Sequence, residues 1–261
     1  MMPRLTALPI FSGRFVAVWR RNALVWRKLF IPSLVGNFGD PLLYLLGIGY
    51  GLGAFVGKVD DMPYLMFFAS GLVCSSAMNT ATFEGLYSAY TRMTSQRTWE
   101  GILATPLRLE DVVLGEVMWA ATKSLVSGSA ILVVAALLGG VHGYGAVAVV
   151  PLLFLCGLTF GAMALFVTAV APGYDFFLYY FTLVVTPMFL FSGVFFPLTS
   201  LPPVVAAVAW GLPLTHAVAA ARPLMAGLPL HGMLTHLGIL AGYFLTFLLL
   251  SVVMLRRRLE R

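Results

Sequence analysis

Charge is what this sequence has least of. Only 10% of its 261 residues are Asp, Glu, Lys or Arg, against 60% hydrophobic, where a soluble domain carries about 25% charged residues. A water-soluble globule is therefore excluded. No Asp, Glu, Lys or Arg occurs between Lys123 and Asp175, or between Asp175 and Arg222. Each run has room for two membrane spans at ~20 residues apiece. The short segments of alternating polarity that a barrel requires are missing as well. Stretches such as Ala146 to Val170 and Gly238 to Leu255 are apolar on every side, so the expected fold is all-α and polytopic. Cysteine is scarce: Cys74 and Cys156 both fall in apolar runs, where a thiol behaves as a small buried apolar group and says nothing of compartment. The early basic residues are spread over 28 positions with no short apolar core and cleavage site after them, so no secretory signal is expected.

Sites for chemistry are absent too. A phosphate-binding loop fails twice at its nearest approach: Gly57-Lys58 is followed by Val59, and Leu52 stands where the first glycine belongs. His142, His216, His231 and His236 offer no metal pattern, since 231 and 236 are five apart with no Cys or carboxylate beside them. No glycine-flanked nucleophile elbow stands out. The expectation is no catalytic residue, no metal and no cofactor on this chain. Ion-coupled transport needs ionisable groups paired within the spans, and none pairs convincingly here. A lipid-modifying membrane enzyme would need catalytic groups clustered at one interface. Energy is expected from elsewhere.

The charges that are present are ordered. Net charge is +6, and thirteen of the sixteen Lys and Arg fall in three clusters. These are Arg4, Arg14, Arg20, Arg21, Arg27 and Lys28; Arg92, Arg97 and Arg108; and Arg256, Arg257, Arg258 and Arg261. If all three face the cytoplasm, the spans between them must be even in number, two and then four. The basic balance is thus topological, with both termini cytoplasmic and no nucleic-acid partner. Lys58 and Arg222 fall in expected outer loops, and Lys123 within a span.

Residues 1–31 form an expected interfacial segment. Phe11, Phe15, Val18, Trp19, Val25, Trp26, Leu29 and Phe30 lie on one helical face, while Arg14, Arg20, Arg21, Arg27 and Lys28 lie on the other. Residues 32–261 form one transmembrane domain. Its six spans are expected at about 32–56, 64–89, 112–138, 146–170, 176–195 and 232–255. Asp40 before Pro41 suits a helix cap, or else contacts a substrate or ion. Gly47, Gly49, Gly51, Gly53 and Gly57 suit close helix packing. Glu84, near the inner end of the second span, must face protein or water: it either pairs with a basic residue or lines a vestibule. Lys123 snorkels or pairs with an acid on a neighbouring helix.

Two stretches interrupt the spans. From Thr98 to Leu107, Trp99, Ile102 and Leu103 share one helical face, while Arg97, Glu100 and Thr105 stay within reach of water or a partner. Pro106 ends that surface-seeking piece, and Glu110 and Asp111 favour the positive end of the next helix. Pro197 to Pro229 holds six of the fifteen prolines. It cannot be one continuous span, so short helices dipping into the outer leaflet are expected.

This order of parts resembles the type-2 ABC exporter permeases. The likeness rests on Gln96-Arg97-Thr98-Trp99-Glu100-Gly101-Ile102-Leu103-Ala104-Thr105-Pro106-Leu107, the Phe196-Pro197-Leu198 to Leu201-Pro202 stretch, and Leu212-Pro213-Leu214-Thr215-His216-Ala217-Val218 followed by Arg222. It covers nearly the whole chain and is closest to the nodulation-factor exporter branch, called NodJ-like. The resemblance implies an ATP-driven exporter in the bacterial inner membrane, with two copies of the chain and two of a separate ATP-binding subunit carrying ATP and Mg. Arg97, Trp99, Glu100, Gly101, Leu103, Thr105 and Pro106 would form the coupling helix between spans two and three. Pro197, Leu201, Pro202, Pro213, Thr215, His216 and Arg222 would belong to outer re-entrant helices between spans five and six. The N-terminal helix would be the connecting helix. The implied substrate is amphiphilic, a lipo-oligosaccharide or similar glycolipid, with drugs and other lipids the alternative; membrane lipids are the remaining partner. Such a molecule would lie between the first, second and fifth spans, making Asn79, Phe189 and Phe191 candidate lining residues beside Asp40 and Glu84. The phenylalanines alternatively face lipid.

Overall fold

A computed structural model describes residues 11–28, 39 and 41–259. Helix α1 spans Phe15–Arg27 and is followed, after residues outside the described set, by α2 at Pro41–Val56. A two-residue hairpin, Lys58–Val59 with Met62–Pro63, turns through Asp60 and Asp61 at positive φ, a conformation Asp tolerates better than most residues. Helix α3 begins as Tyr64–Phe83 and runs on through a π-helical turn, Glu84–Ser88, to Ala89–Met93. Short α4 is Thr98–Leu103, and α5 is Leu109–Leu137. Then come α6 at Val149–Val170, α7 at Asp175–Phe191, α8 at Pro203–Trp210, α9 at Pro213–Ala226 and α10 at Met233–Leu259.

Among the described residues, three helices are long and apolar enough to cross a bilayer on those criteria alone: α5, α6 (counted from Tyr144) and α10. The pair α8–α9, bent by 86°, would make a fourth if taken as one span. Helices α2 and α7 are apolar but shorter. Helix α3 is the interior one. Its Ser70, Ser75, Ser76, Thr80 and Thr82 are buried, a polar load that a lipid-facing helix could not carry but an enclosed one can satisfy. Ser76 and Ser127 hydroxyls pair at 3.1 Å, and Ser124 donates to the Ala77 carbonyl at 2.9 Å.

The bundle is built on α3, α5 and α6, with α10 against α6 and α9 against α3. Glycine makes the tightest crossing possible. A Cβ on Gly157 of α6 would lie 2.5 Å from Ala121 Cα and 2.8 Å from Ser124 Cβ of α5, so the two backbones meet as small residues allow. Of the glycines in α2, Gly49 packs on Leu65, whereas Gly47 and Gly51 have open space beside them.

Several boundaries differ from the sequence reading, each for a local reason. Helix α5 starts at Leu109 because the Arg108 backbone N–H donates to the Asp111 carboxylate across the first turn. Helix α7 stops at Phe191, short of 195, because Ser192 leaves helical geometry and Gly193 takes φ +76°. On α1 the inward positions are Val18 and Asn22, while Val25 and Phe11 are exposed. The packing face is thus narrower than the apolar stripe and includes an amide.

Candidate functional site

The end of the bundle that carries α1 and α4 is held by buried ions. Arg92, at the end of α3, donates to Glu84 Oε1 at 2.7 Å, and to Glu116 of α5 at 3.0 Å (Oε1) and 2.5 Å (Oε2). Lys123 Nζ donates to the other Glu84 oxygen at 2.8 Å. Both carboxylate side chains are 3% exposed or less. Glu84 and Lys123 therefore pair, one of the readings the sequence left open for each. Burial opposes the charge on Arg92, but Glu116 and Glu84 more than offset it and raise its pKa above the ordinary guanidinium value.

Glu116 also accepts from the Asn22 amide of α1 at 3.1 Å and from the Trp99 indole of α4 at 3.2 Å. One carboxylate thus joins α1, α3, α4 and α5. Arg92, Glu116 and Asn22 were not among the candidate site residues. The signal was Asn22 itself, a polar residue amid an apolar helical face.

Helix α4 has two contrasting sides. Trp99 is 1% exposed, and Ile102 and Leu103 pack into the same apolar cluster as Val112, Val113 and Leu255. This is the shared face the spacing led one to expect. On the other side, Arg97, Glu100, Gly101, Thr105 and Pro106 are exposed. Arg97 precedes the helix in left-handed geometry, φ 48°, and its side chain approaches Glu100 at 4.0 Å in the open. The surround is braced. Ser12 donates twice to Asp111 at 2.9 Å, Arg14 donates to the Pro106 carbonyl at 2.5 Å, Glu110 pairs with Arg256, and Arg258 donates to carbonyls of Thr168 and Ala171 at the end of α6.

A cavity of about 530 Å³ lies where α2, α3 and α7 face one another. Pro41 and Tyr44, then Leu72, Ser76, Asn79 and Phe83, then Phe181 and Phe189 are among its walls. It follows ~16 Å of α3, eleven residues at 1.5 Å each. Its lining is mostly apolar with a few hydroxyls and one amide, the mixture that suits an amphiphile. Asn79 and Phe189 line it. Phe191 does not and is 37% exposed, since the side chain two residues on from Phe189 points to a different side of the helix. Glu84 lines a second cavity instead. Asp40 lies outside the described residues.

At the opposite end, the proline-rich stretch turns a corner held by side chains. Thr215 Oγ1 donates to the Ala209 carbonyl at 2.6 Å, and His216 Nε2 meets the Trp210 carbonyl at 2.9 Å, tying α9 back to α8. Since that carbonyl can only accept, Nδ1 of neutral His216 accepts from His236 Nδ1 of α10, 2.9 Å away. Pro203 and Pro213 open their helices, where a missing N–H costs nothing. Pro197 and Leu201 flank a single 3₁₀ turn, with Pro202 just before α8. Arg222 donates to the Gly193 carbonyl at 2.6 Å and to Ser70 at 3.2 Å, with its guanidinium 3.7 Å over the Phe67 ring.

An apolar helical bundle with an amphiphile-sized cavity and a two-sided surface helix defines a membrane permease, and the chain belongs to the ABC-2 type transporter family, which it matches over residues 13–226. Its relatives narrow the branch. It is 47% identical over 257 residues, 98% of each chain, to Nodulation protein J of Rhizobium leguminosarum bv. trifolii. It is 46% identical over 255 residues to Nodulation protein J of Rhizobium meliloti, covering 98% of this chain and 97% of the relative. A more distant relative is the inner membrane transport permease YadH of Escherichia coli, 22% identical over 241 residues, 92% of this chain and 94% of that one. Permeases of this family generally work with an ATP-binding subunit.

Proposed function

We propose that this chain is the membrane-spanning subunit of an ATP-driven exporter that moves a lipo-oligosaccharide, or a closely similar glycolipid, out across the bacterial inner membrane. The observation that carries the reading is α4: one side is bonded to the buried Glu116 network, and the other is bare. That suits a helix that receives force from a partner and passes it inward. In this reading α4 is the coupling helix, α1 the connecting helix and α8–α9 the outer re-entrant pair. The chain crosses six times with both termini cytoplasmic, the short α2 and α7 and the polar α3 completing the count. Two copies assemble with two ATP-binding subunits, which hold the ATP and Mg. The apolar faces of α2 and α7, with Leu43, Leu46, Leu183 and Leu190 exposed, suit lipid and the second copy. The cavity between α2, α3 and α7 takes the amphiphile.

The test is paired. Glu100→Arg, and separately deletion of residues 95–105, should abolish co-purification with the ATP-binding subunit and ATP-dependent flux in vesicles. Intact assembly and flux in both would remove the coupling role. Export of an unrelated drug with no glycolipid transport would remove the substrate.

A further inference from the structure

The second cavity, of about 400 Å³, begins at Glu84, the residue after the last one of α3 that lines the larger cavity. The stacked rings of Phe83 and Tyr87, 5.1 Å apart, join the two linings, Phe83 belonging to the first and Tyr87 to the second. From Leu72 to Thr91 the cavities together follow ~28 Å of α3 at 1.5 Å per residue, close to the ~30 Å hydrocarbon depth. What distinguishes the second is charge: Arg21, Glu84, Arg92 and Lys123 line it, whereas the first has hydroxyls and an amide but no charged side chain.

Three aromatic side chains, Trp26, Tyr87 and Trp119, line the second cavity, and the two indoles meet edge to face at 5.7 Å. Among the lining groups are the Ser88 hydroxyl, the Gln96 amide and the Arg21 guanidinium, while Glu84 and Thr91 are already bonded within the protein. Arg21 donates to Asn22 Oδ1 at 3.0 Å and Thr98 Oγ1 at 3.5 Å, leaving donors over from its five. Flat apolar faces interleaved with donors and acceptors match a sugar, whose ring has an apolar face and a rim of hydroxyls. Arg21, Arg92 and Lys123 outnumber Glu84 in the lining, but two of the three cations are neutralised in place. Arg92 and Lys123 are already bonded to Glu84 and Glu116, and a phosphate here would meet both carboxylates at close range.

We infer that this cavity, bounded by α1, α3 and α5, is the binding site for the uncharged oligosaccharide head of the exported amphiphile, whose acyl chain occupies the larger cavity. This deepens the exporter reading and rests on it. The head would then lie against α1 and within one turn of α4, at the groups that α4 itself holds through Trp99 and Thr98.

The test uses the chain with its ATP-binding subunit in phosphatidylcholine nanodiscs. Three probes are titrated: maltotetraose carrying one acyl chain, the fatty alcohol of the same length, and phosphatidylglycerol. The expected result is that the acylated tetrasaccharide binds about tenfold tighter than the alcohol, ~1.4 kcal/mol. Trp26→Ala and Gln96→Ala should each remove most of that advantage at unchanged melting temperature and alcohol affinity, with Trp26→Phe restoring part of it. Unchanged sugar preference in both variants overturns the site, as does phosphatidylglycerol displacing the sugar probe in a manner lost with Arg21→Gln. Alcohol binding with no sugar preference overturns the head site alone. Loss of alcohol binding in the unaltered protein overturns the exporter cavity as well.

Discussion

The indole N–H of Trp99 donates to Glu116 Oε1 at 3.2 Å, across seventeen residues of sequence, while Arg92 holds both oxygens of that same carboxylate. A surface helix is thereby bonded to a charge inside the bundle. Trp99→Phe keeps an aromatic ring in the apolar face and removes the bond, worth ~1.5–3 kcal/mol for a charged acceptor, along with the rest of the indole's volume. The ATP-binding subunit should still co-purify, while substrate moved per ATP falls several-fold. Side-by-side flux and hydrolysis in proteoliposomes check this; an unchanged ratio would show that the bond carries no coupling.

Arg92 and Lys123 should differ sharply when neutralised. Arg92→Met leaves Glu116 with only the neutral donors of Asn22 and Trp99 and Glu84 with Lys123 alone, and removing one partner from a buried pair costs about 3–5 kcal/mol. Lys123→Met leaves Glu84 still bonded to Arg92. Thermal unfolding in detergent should show a large loss for the first and a clearly smaller one for the second. Equal losses would mean that Lys123, not Arg92, anchors Glu84.

Two glycines should separate folding from docking. At Gly157 an added Cβ meets the Ala121 Cα at 2.5 Å, an atom that cannot swing away, whereas at Gly101 nothing lies within 4 Å. Gly157→Ala should depress the melting temperature and expression. Gly101→Trp should leave both unchanged yet weaken capture of the ATP-binding subunit, measured by pull-down. Full capture would place the partner elsewhere.

Arg222 holds the segment after α7 against α3 through the Gly193 carbonyl, the Ser70 hydroxyl and the Phe67 ring. A lysine can reach one of these but cannot bridge them as a planar guanidinium does. Arg222→Lys should speed backbone hydrogen exchange over residues 192–197 while leaving α5 and α6 protected. Uniform exchange throughout the bundle would indicate general destabilisation instead.

The helices that could be read from the sequence were those whose signal is local. The stretches apolar on every side mark α6 and α10, the apolar face of Trp99, Ile102 and Leu103 marks α4, and the prolines at 203 and 213 start helices where proline costs nothing. Asn79 and Phe189 were suggested only by the family resemblance, which sets the first, second and fifth spans side by side. What stayed hidden depends on residues far apart in the chain. Glu84 finds Lys123 thirty-nine positions away, and Asn22 finds Glu116 at ninety-four, distances at which no helical period relates one residue to another. Phe191 stayed open between cavity and lipid because a phenylalanine carries no mark of the side of the helix it will occupy. The pairing of His216 with His236 likewise needed α9 and α10 brought together in space.

The π-helical turns divide the molecule mechanically. Among the described helices they occur in α2 (Leu45–Leu52), α3 (Glu84–Ser88) and α7 (Phe181–Val185), the three that wall the larger cavity, whereas α5, α6 and α10 run as unbroken α-helix. A π turn carries one residue more per hydrogen-bonded ring and is an uncommon, locally wide geometry. It can be taken up or released by shifting carbonyl partners one position. One side of the cavity can thus change its length and twist in single-residue steps, while the other stays stiff. The protein is built as a rigid frame with a compliant wall, so a displacement of the frame would be expressed as strain in the wall around the cavity.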